Sequence, residues 1–478
     1  MIANVTVQAK RPLDPLVPRS IFAGRLRTTS VGILILITLV AFEAMAVSVA
    51  LPTAARDLHG LGGFGWAFTG FLVANVVGMV VSGQFSDSHG PRGPLIAGMA
   101  CFLAGLILAG TAVTMTQLVA GRVVQGFGSG LLITATYVVI GETYPEALRP
   151  KLFAAISSAW VVPSLIGPVI SGTVTQHASW RWVFLGLLPF VLIGAALMLP
   201  VLRTLHVPDG ARASALADPR RIFHAFAVAG GIAALEGAGQ HPSTLSVTLA
   251  VVGLVALVWG LRTLLPAGTI RVRRGVAAPI AMRGLLAGAF FGIESIVPLS
   301  LSVQHGYSAT AAGLPLACSG LTWALGSWWQ GRAGPADEQT HRVRLVRAGF
   351  AFMLVSALAV ALSAQPGLPG WLIYPAWGLS GIGAGLTMSS VSVLLLNYTN
   401  DADRGADSAA LQLSDATASA VTTGAAGVLV AAAARGALGY TAAFTILDLA
   451  MAAVALAGVL VAGQVRAPVQ NRRGPAPT

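Results

Sequence analysis

Four carboxylates stand inside long apolar runs of this chain: Glu43, Glu294, Asp415 and Asp448, with Glu236 nearer the end of another run. Glu43 lies in VAFEAMAVSVALP, residues 40–52, within a run that begins near Ser30 and carries no other charge before Arg56. About 20 apolar residues suffice to cross a bilayer. A carboxylate near the middle of such a segment costs roughly 2.5–3.5 kcal/mol on insertion scales. Two roles would justify it. The group is either a neutral packing residue with hydrogen-bond partners, or one that takes up and gives up a proton. The same choice applies to Glu294, and less sharply to Asp415 and Asp448. Arg122 is the one basic residue that falls within a predicted span, and Gln125 follows it one helical turn later. An arginine there either snorkels to the outer boundary or pairs with a carboxylate. Trp160, Trp323 and Trp377 also lie deep in apolar runs, where they either pack or stack on an aromatic or cationic ligand.

These residues need elements that position them, and composition says what those are. The 478 residues are 55% hydrophobic and only 10% charged, with a mean hydropathy of +0.78. A soluble domain is nearer one quarter charged, so the chain reads as a polytopic membrane protein. Apolar segments recur near 31–52, 66–86, 93–113, 118–140, 152–175, 182–202, 222–240, 245–265, 284–304, 309–330, 344–363, 371–396, 407–433 and 441–463. That predicts fourteen transmembrane helices, all α. Asp218-Pro219 reads as an N-cap with a first-turn proline opening the seventh.

Scored on alternate connectors, all but four of the 29 Lys and Arg residues fall on the side of the N-terminus. Arg56, Arg181 and Arg435 fall opposite, and Arg122 within a span. The positive-inside rule then places both termini in the cytoplasm, in a plasma-membrane protein. The pI of 10.9 thus reports topology and contact with anionic membrane lipid rather than nucleic acid. Trp66, Trp180, Trp182, Trp371 and the pair Trp328-Trp329 fall at span ends and read as interface anchors. Cys101 and Cys318 lie in separate apolar segments and predict neither a disulfide framework nor a metal site. The N-terminus has no short apolar core with a cleavage site, so the first span serves as the insertion signal. No phosphate-cradling Gly-Lys loop or His-Glu-x-x-His occurs, which argues against an enzyme, and no cofactor is expected.

Five local patterns fall in order on the N-terminal spans. Glu43 precedes Ala50-Leu51-Pro52 in the first. Between the second and third, GQFSDSHGPRG holds Gly83, Asp87, Gly90 and Arg92. The fourth carries Arg122-x-x-Gln125-Gly126-x-Gly128, and the fifth Pro163-x-x-x-Gly167-Pro168-x-x-Ser171-Gly172. Trp180-Arg181-Trp182-Val183-Phe184 opens the sixth. In these motifs the chain resembles the major facilitator superfamily, in its fourteen-helix drug:proton antiporter branch. It departs from the pattern at Glu43, where Asp is usual, and at Ser88, where a basic residue is usual. In the C-terminal half only a faded second loop remains, Gly326 to Arg332, with Gln330 where Asp would stand.

The resemblance implies two pseudo-symmetric six-helix bundles, 31–203 and 284–465, with two inserted helices in the linker 204–283 and cytoplasmic tails 1–30 and 466–478. A binding cavity would lie between the bundles, with Glu43 and Glu294 on opposite walls and Arg122, Gln125 and Trp160 nearby. The loop of Gly83, Asp87, Gly90 and Arg92 would latch one conformation, with Asp87 accepting from backbone amides and meeting Arg92. Pro163, Gly167, Pro168 and Gly172 would let the fifth span bend and pack closely. The implied function is proton-coupled antiport by a monomer that exports small amphipathic, cationic compounds such as drugs. An exporter of an endogenous lipid or metabolite, or a proton-coupled importer, would use the same fold. A membrane enzyme or a non-transporting sensor stands further off.

Overall fold

The computed structural model describes residues 20–60, 64–205, 218–240, 244–307, 309–332, 338–365, 367–434 and 436–466. Most of both tails, Arg212 and Arg435 lie outside the described residues, as do the side chains of Pro168 and Glu236. Among the described residues there are sixteen α-helices and no strand. In order they are α1 (Leu26–Asp57), α2 (Phe64–His89), α3 (Arg92–Gly110), α4 (Met115–Thr143), α5 (Arg149–His177), α6 (Arg181–Leu185), α7 (Leu188–Leu202) and α8 (Pro219–Gln240). There follow α9 (Thr244–Leu264), α10 (Ala277–Glu294), α11 (Val297–His305), α12 (Ala309–Gly331), α13 (Glu338–Ser363), α14 (Ile373–Tyr398), α15 (Arg404–Ala434) and α16 (Tyr440–Val461).

The excess over fourteen comes from two interruptions. Both α6/α7 and α10/α11 lie within single apolar stretches, Arg181–Leu202 and Ala277–His305. Each break has the same cause. Pro189 and Pro298 sit in the first turns of α7 and α11, and each lacks the N–H that would bond the carbonyl four residues back. Those carbonyls belong to Leu185 and Glu294, the last residues of α6 and α10. Nine stretches of the described residues are long and apolar enough to cross a membrane. The helices below that mark are α5, α8, α9, α12 and α15. All but α9 make contacts across the seam between the two halves: α5 with α12 and α14, α15 with α2 and α4, and α8 with both α2 and α15. A helix that faces another helix on several sides needs less apolar surface than one bathed in lipid.

Local signals start and stop the helices as their residues dictate. The Thr114 side chain accepts from the Gln117 amide at 3.2 Å and caps α4, while Asp218 accepts from the Arg220 amide at 3.0 Å and opens α8. Gly90 takes φ +78° directly after α2, so the chain can reverse into α3. Glycines on α4 let α2 come close. A Cβ at Gly126 or Gly130 would meet the carbonyls of Phe71 or Asn75 at less than van der Waals distance.

Two apolar cores result. One is built mainly from α1 to α7 around residues such as Phe102, Leu106 and Phe184, with Ile280, Leu395 and Leu411 joining from the second half; the other, from α10 to α16, includes Phe290, Trp377, Phe350 and Phe444. A third cluster joins Val77 and Val80 of α2, Val228 of α8, Leu257 of α9 and Leu413 of α15.

Two expectations need correction. The sequence puts Arg283 at the end of the linker 204–283, but α10 begins at Ala277, so Arg283 lies within a helix and Arg122 is not alone. Trp180 is buried, and its indole donates to Asp57 Oδ2 at 3.0 Å, so it is not an interface anchor. Trp66, Trp182, Trp328, Trp329 and Trp371 do stand exposed at helix ends.

Candidate functional site

Glu43 sits midway along α1, and Arg122 two turns into α4. The structure brings them into a buried ion pair between Arg122 Nη1 and Glu43 Oε1. The guanidinium is held from three further directions. Nη1 donates to Gln125 Oε1 at 2.8 Å, Nε donates to the Ala67 carbonyl of α2 at 3.2 Å, and the Phe71 ring lies 4.2 Å beneath. The i, i+3 spacing of Arg122 and Gln125 puts both on one face of α4, toward α1 and α2. Side-chain exposure is 3% for Arg122 and 0% for Glu43, so water does not screen the pair. One oxygen of Glu43 and the amide nitrogen of Gln125 have no partner among the described residues. Each of these two groups keeps hydrogen-bonding capacity that the ion pair does not use.

The segment of α5 that packs on Glu43's helix explains the glycine-proline motif. Gly167 lies against Met45 and Phe42, Gly172 lies near Val49, and Ser171 Oγ donates to the Ala46 carbonyl at 2.6 Å. Pro163 is buried. The helix runs without a break through this motif, so its small residues serve close approach to α1 rather than an interruption.

The last turns of α2 contact the other half at the end bearing Arg92, Arg149, Lys151 and Arg404, hereafter the basic end. Both Asp87 oxygens accept from the first turn of α15, from the Gly405 amide at 2.5 Å and the Ala406 amide at 2.8 Å. A carboxylate at a helix N-terminus meets unpaired amides and the positive end of the helix dipole. Gly83 matters because it lies against the Gly405 backbone and Ala409, where any side chain would hold α2 and α15 apart. Arg92, expected to meet Asp87, is exposed instead. Ser88 bonds within its own turn, to the Gln84 carbonyl at 2.9 Å and His89 Nδ1 at 2.8 Å. At the same end, Arg149 of α5 donates to Asn397 of α14 at 3.1 Å. In this structure the basic ends of the two halves are therefore closed on each other.

Glu294 and Trp160 are not drawn into the Glu43 cluster. Glu294 is half-buried at the last position of α10, and Trp160 is exposed on α5. Trp323 and Trp377 pack on Phe290, at ring separations of 5.1 and 4.9 Å. Asp448 is wholly buried on α16, and neither of its oxygens has a partner among the described residues. Sequence reasoning missed a second ion pair. Arg283 Nε donates to Asp415 Oδ2 of α15 at 2.7 Å, and its Nη1 reaches Ser392 Oγ at 3.3 Å and the Met388 carbonyl at 3.4 Å. Asp415 stands out within its apolar run, but an arginine at the edge of such a run reads as a loop residue until its partner is known.

The chain and its fold have relatives among known transporters. Residues 33–423 match the Major Facilitator Superfamily, and the chain belongs to it. It is 24% identical over 380 residues to the multidrug efflux pump SdrM of Staphylococcus aureus (strain N315), covering 78% of this chain and 82% of that one. A shorter match, 37% identical over 166 residues, is to MFS transporter L2 of Phoma sp. and spans 28% of that protein. Multidrug resistance protein 3 of Bacillus subtilis (strain 168) is 31% identical over 153 residues, 30% of its length. The fold is similar to that of the human organic anion transporter MFSD10 (TETRAN), with a TM-score of 0.66 at 15% identity over 91% of this chain and 98% of that one. It is also similar to an outward-facing bacterial homologue of the iron transporter ferroportin, with a TM-score of 0.64 at 12% identity over 92% and 99%. The protein is a multi-pass membrane transporter of this superfamily.

Proposed function

We propose that the chain is a proton-coupled antiporter exporting small amphipathic compounds, lipophilic cations among them, by alternating access. On this reading it has fourteen spans, with each broken pair counted once, and both termini in the cytoplasm of a plasma-membrane monomer. Bundles 31–203 and 284–465 rock about a central site, with the linker 204–283 supplying α8 and α9 between them. The buried Glu43–Arg122 pair carries the proposal. The efflux pumps among its relatives support the direction and class of cargo.

The proposed cycle follows from the pair. With the basic end latched, a proton arriving from the opposite face neutralises Glu43 and removes its Coulomb attraction for Arg122. The guanidinium keeps Gln125, the Ala67 carbonyl and the Phe71 ring, so it stays in place while the carboxyl turns away. A cationic cargo that had shared the carboxylate loses its counter-charge and leaves. Opening the basic end separates Asp87 from the α15 amides and lets Glu43 release its proton inside. The pair then re-forms, or the carboxylate takes the next cation.

The test is transport of a lipophilic dye cation into proteoliposomes driven by a pH gradient, comparing the wild type with Glu43→Gln. Loss of pH-driven transport with dye binding retained supports Glu43 as the proton carrier. Unchanged transport removes Glu43 from the mechanism and moves the assignment to Glu294. Absence of transport by the wild type means that the cargo class is wrong.

A further inference from the structure

The connector between α9 and α10, residues 265–276, reads LPAGTIRVRRGV. Its backbone is folded. The Gly268 carbonyl accepts from the amides of both Arg271 (3.0 Å) and Arg273 (3.1 Å), and buried Thr269 donates its hydroxyl to the Pro266 carbonyl at 2.7 Å. Gly268 has φ +95°, and a Cβ there would press on the Arg273 stem at 2.7–3.0 Å, so glycine is needed on both counts. Arg274 Nε donates to Gln464 Oε1 at 3.3 Å and ties the connector to the turn that follows α16.

Around this turn, Arg262 from the last turn of α9 joins Arg271 and Arg273 about a hollow of about 260 Å³. The three side chains are exposed, and none has a hydrogen-bond or ion-pair partner among the described residues. No acidic residue occurs between Glu236 and Glu294 in the chain. Three guanidinium groups held together without a carboxylate repel one another unless an anion joins them. Guanidinium forks suit phosphate oxygens in particular.

The surface leading to the cup says which anion. Val251, Val255 and Val258 on α9 are exposed, and Arg262 continues the same helical ridge at i+4, i+7 and i+11 from Val251. In a membrane-spanning chain such an apolar ridge faces acyl chains, and its basic end meets headgroups. Exposed Ile270 stands on the rim of the hollow. We propose that the α9–α10 connector is a binding site for the phosphate of an anionic phospholipid, with the acyl chains lying along the exposed ridge of α9. The three arginines grip the phosphate, and the valines exclude water from the tails. This site does not depend on the transport cycle proposed above.

Native mass spectrometry of the full-length protein in detergent, titrated with phosphatidylglycerol or phosphatidylcholine, tests the assignment. The wild type is expected to retain phosphatidylglycerol in preference to phosphatidylcholine. Each arginine removed should weaken that binding about fivefold, and R262Q/R271Q/R273Q roughly a hundredfold. A control that removes the same charge from exposed arginines elsewhere, R203Q/R220Q/R344Q, should bind as the wild type does. If the triple variant does not fold, R262Q alone carries the test, because its side chain lies on an exposed helix surface. Equal losses in the cup variant and the control, or no loss in the cup variant, would overturn the site. Displacement of the lipid by inorganic phosphate at equal concentration would assign the cup to a soluble anion and overturn the lipid.

Discussion

The N-terminal and C-terminal halves carry the same kinds of part in different states. In the first, Glu43 and Arg122 are sealed within one core, at 0% and 3% exposure. In the second, Arg283 and Asp415 are 12% and 19% exposed, and Tyr137 from the opposite half lies beside the guanidinium. The corners at the basic end differ too. Asp87 takes two amides from the start of α15, whereas the position related to it by the faded repeat is Gln330, at the end of α12. Gln330 is buried, and neither its nitrogen nor its oxygen has a partner among the described residues. Its neighbour Gly331 lies against Pro150 and Lys151 at the start of α5. Pro150 has no N–H to give, so a carboxylate at position 330 would find one donor fewer than Asp87 does. At one corner Asp87 meets two backbone amides where Gln330 at the other meets none among the described residues, and the ion pair of the first half is the more deeply buried.

That contrast can be broken most severely at Arg122. Arg122→Met leaves a carboxylate buried without its partner and should destabilise the protein by about 3–5 kcal/mol. The double change Glu43→Leu with Arg122→Met should regain most of that stability while pH-driven transport stays lost. Thermal unfolding in detergent reads the first effect and dye transport the second. A single variant as stable as the wild type would mean that the pair is not sealed. Asp87→Ala comes next. Losing two charge-assisted bonds, partly replaced by water, should move the equilibrium away from the closed basic end by about 2 kcal/mol, roughly thirtyfold. Maleimide labelling of Ala410→Cys on buried α15, with Cys101 and Cys318 changed to serine, should quicken accordingly. Labelling at the wild-type rate would remove the latch. At the opposite corner the sign reverses. Gln330→Leu removes an amide without partners and should stabilise by about 1 kcal/mol, whereas Gln330→Asp should destabilise and leave Ala410→Cys labelling unchanged.

The sequence carried the fold in its apolar runs and the family in its motifs. It also held both helix breaks, since Pro189 and Pro298 are plain to see, yet an apolar run with one proline still reads as a single span. The charge pairs were legible in proportion to how unusual their members looked. Glu43 and Arg122 each interrupt a long apolar run, so each called for a partner. Arg283 sits at the edge of its run and looked like a loop residue, and Asp415, 132 positions away, gave no reason to revise that. The latch was half legible. A carboxylate at a helix end was expected to take amides, but Arg92 drew attention as its nearest charged neighbour. The actual donors are backbone groups 318 and 319 residues on, and an amide leaves no mark in residue identity.

One further effect measures how different the two ion pairs are. Both members of the Arg283–Asp415 pair are less deeply buried than Glu43 and Arg122, so each charge gives up less hydration on pairing. Arg283→Gln also leaves an amide able to donate to Ser392 Oγ or the Met388 carbonyl, so little is orphaned. The expected cost is about 1–2 kcal/mol, well below that of Arg122→Met. Asp415→Asn should cost less still, because the amide oxygen can go on accepting from the guanidinium. Unfolding of both variants beside Arg122→Met, in one detergent and at one salt concentration, settles the comparison. A loss near that of Arg122→Met would mean that the C-terminal pair is as dry as the N-terminal one when the protein is in its resting state. The asymmetry between the halves would then lie in the corners alone. A small loss that disappears at high salt would instead locate Arg283 and Asp415 in a crevice open to ions, since screening acts on exposed charges and spares sealed ones.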